Sequence, residues 1–349
     1  MIFFVIIPIF KKGQFLLKRK KIVQFNINSN DIQKPQQEKQ QSYILADKHF
    51  LHVGDNLDFN IFYNYTPTTM SLFLQSDTVI DEKQKQKLNQ IENIYVSESD
   101  KNKYEDFIED RLASVVKDNS LSLDEKTEII YTTSTELTNS LYENPDALEN
   151  AQRSKNIVEP ILHSVIYNND TISSYIKIIE YDYYTHTHSL NVSIYAMCLG
   201  AELKFNEKEL TALGRSALLH DLGKSKIDHD IVNKHGRLTD VEYHQMKHHP
   251  LLGYKIAINM GIDNQNILDG IKHHHEKLDG MGYPDKLKGD EITTFARIIA
   301  VCDVFDALTT RRSYKQAMSS FHALELMKTQ MNTHLDMNLV NTFIKMLHK

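Results

Sequence analysis

The densest group of side chains able to bind a metal ion lies in the segment HHHEKLDGMGYP, residues 273–284. Three consecutive histidines precede a carboxylate, and two glycines and a proline follow. Adjacent side chains on a helix point about 100° apart, so three neighbouring imidazoles cannot easily serve one ion. Two of them near a helix end can bind two neighbouring ions, while the glycines and Pro284 turn the chain and bring Tyr283 beside them.

Eleven of the 17 histidines lie between residues 186 and 275, so the other segments of this region are candidates too. In HSLNVSIYAM, His188 stands near the start of a predicted amphipathic helix, and His186 competes with it from a different face. A lone helical histidine is more often packed or solvated than a ligand. In LTDVEYHQMKHHPLLGY, a predicted capping box starts a helix that reaches His248 and His249, and the proline that follows must bend or break it.

The segment ALLHDLGKSKID puts a His–Asp pair at the end of an apolar helix. The buried stripe of this helix leads to His220 and Asp221, and Gly223 is expected to end the helix. Such a pair is costly to bury without a partner, and a divalent cation accepts both ligands and neutralises the charge. The adjacent Lys224 is positioned to contact a phosphate.

The segment FARIIAVCDVFDALTTRRSYKQAM predicts a strongly apolar helix interrupted by Asp303 and Asp306. An aspartate at the centre of such a helix is either paired or a ligand. Arg312 and Lys315 follow at the helix end, where their charges could clamp a phosphate.

Together these segments supply nitrogen and oxygen ligands from successive helices. That set suits iron, manganese or another octahedral ion better than structural zinc, which usually brings thiolates. The ligands are too many for one ion, so more than one divalent ion is expected. Two ions a few ångströms apart typically activate water and hold a phosphate for in-line attack.

The elements that must position these groups are mostly helices. Within residues 41–100, two strands on either side of Gly54–Asn56, then a helix and a short strand, predict a small α/β unit. From about residue 103, apolar residues recur at spacings of three and four, which predicts helices to the end of the chain. The predicted fold class is mainly α, with a C-terminal all-α domain and a smaller N-terminal α/β domain.

The predicted domain boundaries follow from these patterns. Residues 1–40 are assigned to an N-terminal leader and linker, residues 41–150 to a small α/β plus helical regulatory domain, and residues 151–349 to the catalytic domain. The opening MIFFVIIPIF is too short to span a bilayer. Peripheral membrane contact, a β-strand, or a reading frame extended upstream of the true start remain open for it.

The composition, with 41% hydrophobic and 25% charged residues, is that of an ordinary globular protein. A net charge of −6 argues against a general nucleic-acid binder. Cys198 and Cys302 both lie in apolar segments. That placement favours buried thiols in a reducing, cytoplasmic compartment over a redox role.

The order of these motifs resembles the HD-GYP family, a branch of the HD-domain metal-dependent phosphohydrolases. The resemblance covers about residues 155–349, in the segments YTHTHS (184–189), HDLGK (220–224), HHP (248–250), HHEKLDGMGYP (274–284) and ARIIAVCDVFDALTTRRSY (296–314). It implies an all-α domain that hydrolyses cyclic di-GMP to pGpG and then GMP. It also implies a centre of two or three metal ions, with a metal-activated hydroxide as nucleophile.

Carried onto this chain, the resemblance implies the metal ligands His188, His220, Asp221, His249, His274, His275 and Asp303. Asp221 would bridge two ions, and Lys224 would touch the phosphate or the nucleophilic water. The implied nucleotide contacts are Lys224, Tyr283, Arg312 and Lys315. The histidines that do not align with ligand positions, and are expected to be solvated or to support the ligands, are His186, His248 and His273.

The chain departs from the family pattern at a few positions. Family members with three ions carry a glutamate four residues before the first histidine, where this chain has Tyr184. Two ions, iron or manganese, are therefore expected. RSY (312–314) stands where the family usually has RPY, and LDM (335–337) stands where FDP is common. No departure removes an implied ligand.

Two alternative functions remain open. One is a catalytically idle module that senses cyclic di-GMP or a partner, although idle members typically lose ligands. The other is an HD hydrolase that acts on another cyclic dinucleotide. A homodimer, and a signalling partner bound through the N-terminal domain, are both compatible with the sequence.

Overall fold

The computed structural model describes residues 23–25, 41–66, 69–167, 170–181, 187–234, 236–310 and 317–348. The chain divides into two compact units, residues 1–106 and residues 107–349, and the division falls within a helix. This division into compact units does not test the regulatory and catalytic domains predicted for residues 41–150 and 151–349. Those two domains stay predictions. No helix in the described ranges is long and apolar enough to cross a membrane.

The first unit is built on an antiparallel sheet. Its strands are β1 (Val23–Phe25), β2 (Gln41–Ala46), β3 (Ile61–Thr66), β4 (Thr69–Leu74) and β5 (Ile94–Ser97). The strand order is β1-β2-β5-β3-β4. Helix α1 (Glu82–Gln90) and the 3-10 helices Lys48–Phe50 and Glu98–Asp100 accompany the sheet. The predicted small N-terminal α/β unit is thereby confirmed.

The structure adds to the prediction in how the strands pair. The two predicted strands on either side of Gly54–Asn56 correspond to β2 and β3, but they are not neighbours, since β5 lies between them. Strand patterning shows which residues are extended and not which strands meet. β4 was not predicted, because its exposed and half-buried residues do not alternate cleanly.

The rest of the chain is helical, and the described residues after Ser97 contain no strand. The helices are α2 (Lys101–Lys117), α3 (Leu123–Glu143), α4 (Asn150–Tyr167), α5 (Asp170–Tyr181), α6 (His188–Glu202), α7 (Glu207–Leu219), α8 (His229–Val232), α9 (Asp240–Met246), α10 (His249–Asn259), α11 (Gln265–His273), α12 (Thr294–Thr309), α13 (Ser320–Gln330) and α14 (Met337–Leu347). Two further 3-10 helices are Leu222–Lys226 and Gly289–Glu291. The predicted all-α C-terminal domain is confirmed.

Helix α6 lies in the interior of the second unit. Every residue from Ser189 to Gly200 is buried, and the helix contacts α7, α12 and α14. A helix covered on all sides has no polar face, so the prediction of an amphipathic helix here is wrong. Cys198 on α6 and Cys302 on α12 are buried free thiols, as the apolar sequence around them predicts.

A close contact between two main-chain segments explains why residue 223 is a glycine. Helix α7 ends before His220, so Gly223 does not end that helix as predicted. It lies in the 3-10 helix Leu222–Lys226, where an added Cβ would come within 2.0 Å of the carbonyl oxygen of His249. The absence of a side chain at Gly223 therefore lets the segment that carries Asp221 pack closely against the helix that carries His249.

Replacing Gly223 by alanine is expected to lower the free energy of unfolding by about 1–3 kcal/mol or more, because the methyl group meets main-chain atoms that cannot rotate away. Urea unfolding measures the loss. Lys226→Ala, in the same 3-10 helix, removes a half-exposed ion pair with Asp146 and should cost less than about 1 kcal/mol. Equal stability of the two variants would contradict the close contact.

Candidate metal centre

Helix ends bring the candidate ligands together. His188 is the first residue of α6 and His249 the first of α10, while His220 and His274 are the C-caps of α7 and α11. Asp303 is the exception, since it lies inside α12. Because the chain begins or leaves the helix at these points, rings from four helices can approach one another without a collision of the helices.

Seven side chains form two groups. Within each group, one ligand atom from every member lies within 4.8 Å of the others. One group contains Asp221, His249, His274 and His275, and the other contains His188, His220 and Asp303. The structure thus brings together all seven predicted metal ligands. Their role as ligands stays a prediction.

Asp221 faces both groups. Its Oδ1 atom lies 3.3 Å from Nε2 of His249, in the first group. Its Oδ2 atom lies 3.4 Å from Nε2 of His220 and 3.6 Å from Nε2 of His188, in the second group. Lys224 Nζ donates to the same Oδ2 atom at 2.5 Å. A carboxylate with one oxygen toward each group has the arrangement of a bridging ligand.

Three of the imidazoles are oriented by main-chain carbonyl groups. In each, Nδ1–H donates to the carbonyl oxygen three residues earlier, at 2.7 or 2.8 Å: His220 to Ala217, His249 to Met246 and His274 to Ile271. Metal-binding histidines usually donate their other ring nitrogen in this way. The bond fixes the tautomer and leaves the Nε2 lone pair available.

The lone pairs of His249 and His274 face each other. Their Nε2 atoms are 3.2 Å apart, and both Nδ1 atoms are already donors. Two lone pairs at this distance repel unless a cation lies beside them. The buried atoms His188 Nε2, His220 Nε2 and Asp221 Oδ1 likewise have no hydrogen-bond partner. The donor set therefore fits divalent cations.

Burial keeps the histidines of the first group neutral. It lowers the pKa of His249 to about 3 and the pKa of His275 to about 4, and it moves the pKa of His274 well below its usual value. Burial has the largest single effect on the pKa of Asp221 and opposes its ionisation, but Lys224, His220 and His249 together outweigh it and hold the pKa of this carboxyl well below its usual range. Neutral imidazoles beside an ionised carboxylate are the protonation states that bind metal ions.

The pKa of His188 is shifted in the opposite direction. Burial lowers its pKa, yet the carboxylates of Asp303 and Asp306 outweigh this effect and raise the pKa to about 9. Its Nε2 lies 3.2 Å from Oδ1 of Asp303, and its Nδ1–H donates to Oδ2 of Asp306 at 2.6 Å. A metal ion that binds His188 must therefore displace a proton.

Glu276 organises the loop after the histidines, a role that the sequence did not reveal. Its carboxylate is buried and accepts main-chain N–H groups from Asp285, Lys286 and Leu287 at 2.7, 2.9 and 3.1 Å. A Cβ on Gly282 would lie 2.4 Å from Cα of Glu276. The glycine thus lets the loop fold back onto the histidine segment.

The returning loop brings Tyr283 beside the first group. The centroids of the Tyr283 and His275 rings are 4.9 Å apart, and the ring planes are tilted by 33°. The bond between Tyr283 and Pro284 is cis. Tyr283 therefore lies next to a candidate ligand, as the sequence predicted, and its contact with a nucleotide stays a prediction.

Not all of the residues named from the sequence lie within the described ranges. Those outside the described ranges are Tyr184, His186, Arg312 and Lys315. His248 is exposed, and Nε2 of His273 lies 3.0 Å from Oδ2 of Asp285. Asp306, which the sequence left as either paired or a ligand, is paired with His188.

The chain is similar in sequence to a known family and to several curated proteins. A family model described as an HD domain matches residues 167–339. Cyclic di-GMP phosphodiesterase PA4108 of Pseudomonas aeruginosa is 33% identical over 199 residues, which are 57% of this chain and 48% of that protein. The 3'3'-cGAMP-specific phosphodiesterase 3 of Vibrio cholerae is 35% identical over 153 residues, 44% of this chain and 33% of that protein.

The fold also has a solved counterpart. Bd1817, described as an HDG"Y"P protein from Bdellovibrio bacteriovorus, superposes with a TM-score of 0.63 over 88% of this chain and 100% of that chain, at 18% identity. Residues 167–339 are therefore an HD domain, as the family model shows, and the solved counterpart supports the fold. The fold agrees with the resemblance to the HD-GYP branch that the sequence motifs indicate. The chain spans about half the length of the first curated relative.

Adding Mn²⁺ to the metal-free protein is expected to raise its melting temperature. An ion that binds only the folded state stabilises it by about 4 kcal/mol at a thousandfold excess over Kd. Thermal unfolding after chelator treatment, with and without Mn²⁺, measures the rise. Asp221→Asn should lose most of it, whereas Asp230→Asn, at a fully exposed side chain, should keep it. An equal rise in both variants would rule out Asp221 as a ligand.

Replacing Glu276 by glutamine is expected to loosen the loop, because the amide keeps one acceptor oxygen and turns an NH₂ group toward a main-chain donor. The cost is about 1.5–3 kcal/mol, the range for a charged hydrogen bond. Hydrogen exchange of the amides of residues 285–287 measures it. Glu291→Gln, at an exposed carboxylate that accepts the N–H of Lys288, is the control. Unchanged exchange in Glu276→Gln would refute the role of this carboxylate.

Proposed function

We propose that this chain is a cyclic dinucleotide phosphodiesterase whose substrate is cyclic di-GMP, with pGpG, GMP or both as products. The observation that supports this most is the position of Asp221 between two ligand groups, with the Lys224 ammonium beside it. A relative of the same domain is named for cyclic di-GMP hydrolysis. The reaction forms a bond between water oxygen and phosphorus and breaks the bond from phosphorus to the 3′ oxygen.

The proposed centre holds two divalent ions, iron or manganese. His188, His220 and Asp303 would hold one ion, His249, His274 and His275 would hold the other, and Asp221 would be shared. When bound, such ions lower the pKa of water and polarise phosphate oxygens. The ionised Asp221 and the imidazoles fixed by carbonyl groups supply the ligands in the required protonation states.

Lys224 acts on the phosphate from the protein side in this proposal. Its side chain is 31% exposed while its Nζ stays 2.5 Å from Oδ2 of Asp221. From this position the ammonium can donate to a non-bridging phosphate oxygen and offset the charge that develops as the bond breaks. Tyr283 would flank the nucleotide beside His275, and Arg312 and Lys315 would add positive charge.

A second candidate substrate is 3'3'-cGAMP. The relative named for this substrate is 35% identical to the chain and the one named for cyclic di-GMP is 33% identical, so similarity does not separate the two. A catalytically idle sensor is a weaker candidate, because all seven candidate ligands are in place. A regulatory role for residues 41–150, a homodimer and a signalling partner stay predictions.

Protein purified anaerobically with iron or manganese is expected to hydrolyse cyclic di-GMP, and chromatography of pGpG and GMP follows the reaction. Asp221→Ala should reduce turnover at least about a hundredfold, because it removes a ligand shared by both groups. Asp230→Ala, at a fully exposed position, should keep wild-type turnover.

The same assay with 3'3'-cGAMP decides between the two substrates by their kcat/KM values. A higher value for 3'3'-cGAMP would replace the proposed substrate and keep the reaction. Metal-loaded protein that binds cyclic di-GMP without turnover would favour the sensor. Full activity in Asp221→Ala would contradict the assignment of these two ligand groups as the catalytic site.

A further inference from the structure

His188 is held in a different way from the other oriented histidines. His220, His249 and His274 each donate Nδ1–H to a carbonyl oxygen three residues earlier in the chain. His188 instead donates to the carboxylate of Asp306, which is 118 residues away in the sequence and lies on α12. Its orientation therefore depends on packing between helices rather than on the local turn.

The contact continues beyond Asp306. The second carboxylate oxygen, Oδ1, accepts from Nδ2 of Asn191 at 3.0 Å, and Oδ1 of Asn191 accepts from the Tyr131 hydroxyl at 2.8 Å. Asp306 and Asn191 are 0% exposed and Tyr131 is 1% exposed. The chain of bonds Tyr131–Asn191–Asp306–His188 thus runs through the interior from α3 to the second ligand group.

We propose that Tyr131, Asn191 and Asp306 are positioning residues for His188. Helix α3, which carries Tyr131, then helps to orient a ligand of the metal centre. This inference rests on the proposed role of His188 as a ligand. Helix α3 (Leu123–Glu143) precedes residues 167–339, which the HD-domain family model matches. The support for one ligand therefore comes from outside that matched region.

The Tyr131 hydroxyl anchors the Asn191 amide in the orientation that Asp306 requires. With the amide oxygen taken by the tyrosine, the NH₂ group points at Asp306. A flipped amide would put its oxygen against Oδ1 of the buried carboxylate, and two acceptors at hydrogen-bond distance repel. Loss of the Tyr131 hydroxyl leaves this selection to Asp306 but removes the bond that anchors the amide, so Asp306 and the ring that it holds become less firmly placed.

A second tyrosine of α3 reaches the same ligand group. The hydroxyl of Tyr142 donates to the carbonyl oxygen of Leu218 at 2.9 Å and lies 2.8 Å from Oγ of Ser189. Ser189 follows His188 in the chain, and Leu218 lies two residues before His220. Both tyrosines thus support segments that carry members of the group His188, His220 and Asp303. A shift of α3 would act on one ion more than on the other.

Metal affinity tests the inference without substrate. Mn²⁺ is titrated into chelator-treated protein, and electron paramagnetic resonance of free Mn²⁺ gives the two dissociation constants. Asp306→Asn is expected to weaken one ion about 10- to 100-fold, the range for loss of a carboxylate that orients a metal-binding histidine. Tyr131→Phe should weaken the same ion about 2- to 10-fold, which corresponds to one hydrogen bond. The other ion should keep its wild-type affinity in both variants.

Tyr175→Phe is the matched control. Tyr175 is also fully buried on a helix of this unit, and its hydroxyl contacts Ser164 at 3.0 Å rather than the ligand groups. It loses one buried hydroxyl as Tyr131→Phe does, so a comparable fall in melting temperature with unchanged Mn²⁺ affinity is expected. Equal Mn²⁺ affinity in Tyr131→Phe and Tyr175→Phe would overturn the role of α3. The comparison of the two phenylalanine variants decides the question even where Asp306→Asn fails to fold.

Failure of this inference is distinguishable from failure of the proposed function. Wild-type protein that binds two Mn²⁺ ions without turnover of cyclic di-GMP would overturn the proposed substrate and leave the positioning role of Tyr131 open to the same titration. Wild-type affinity for both ions in Asp306→Asn would overturn the positioning role, whatever the substrate.

Discussion

Two carboxylates, the buried Asp221 and the largely buried Asp303, set the conditions for the rest of the helical unit. Asp221 and Asp303 both have a pKa well below the usual range although burial opposes their ionisation. A buried charge of this kind persists only where opposite charge or hydrogen-bond donors surround it. Lys224 supplies that compensation for Asp221, and His188 supplies it for Asp303. The helix ends that carry the histidines converge around these two charges.

Much of the fold and of the candidate site could be predicted because the signals are local. Spacings of three and four predicted the helices, and the resemblance to a known family predicted the seven side chains that the structure brings together. Glu276 escaped prediction because its partners are main-chain groups of a loop, and the sequence does not show where a loop returns. Asp306 looked like Asp303 in the sequence, since both interrupt the same apolar helix. Only packing between α6 and α12 distinguishes the residue that faces the centre from the one that orients His188.

The candidate site combines side chains on rigid helices with Tyr283, which lies on a loop that folds back onto the histidine segment. Helices α6 and α12 are buried along most of their length, so His188 and Asp303 are held by packing as firmly as the core itself. Tyr283 instead sits on a loop that is held by the Glu276 carboxylate, by the close approach of Gly282 and by main-chain hydrogen bonds such as that from Tyr283 to His275. Rigid helices suit ligands, which need fixed distances, whereas a loop can differ between proteins that accept different nucleotides.

The Glu276 carboxylate accepts hydrogen bonds from main-chain groups, and not from side chains, of the loop that it holds. Its partners at Lys286 and Leu287 are amide hydrogens, which nearly every amino acid possesses. Sequence drift at these two positions can therefore leave the loop geometry intact. Two limits remain: proline lacks the amide hydrogen, and the backbone at Lys286 is left-handed, with a φ of 59°, which β-branched residues adopt only with strain.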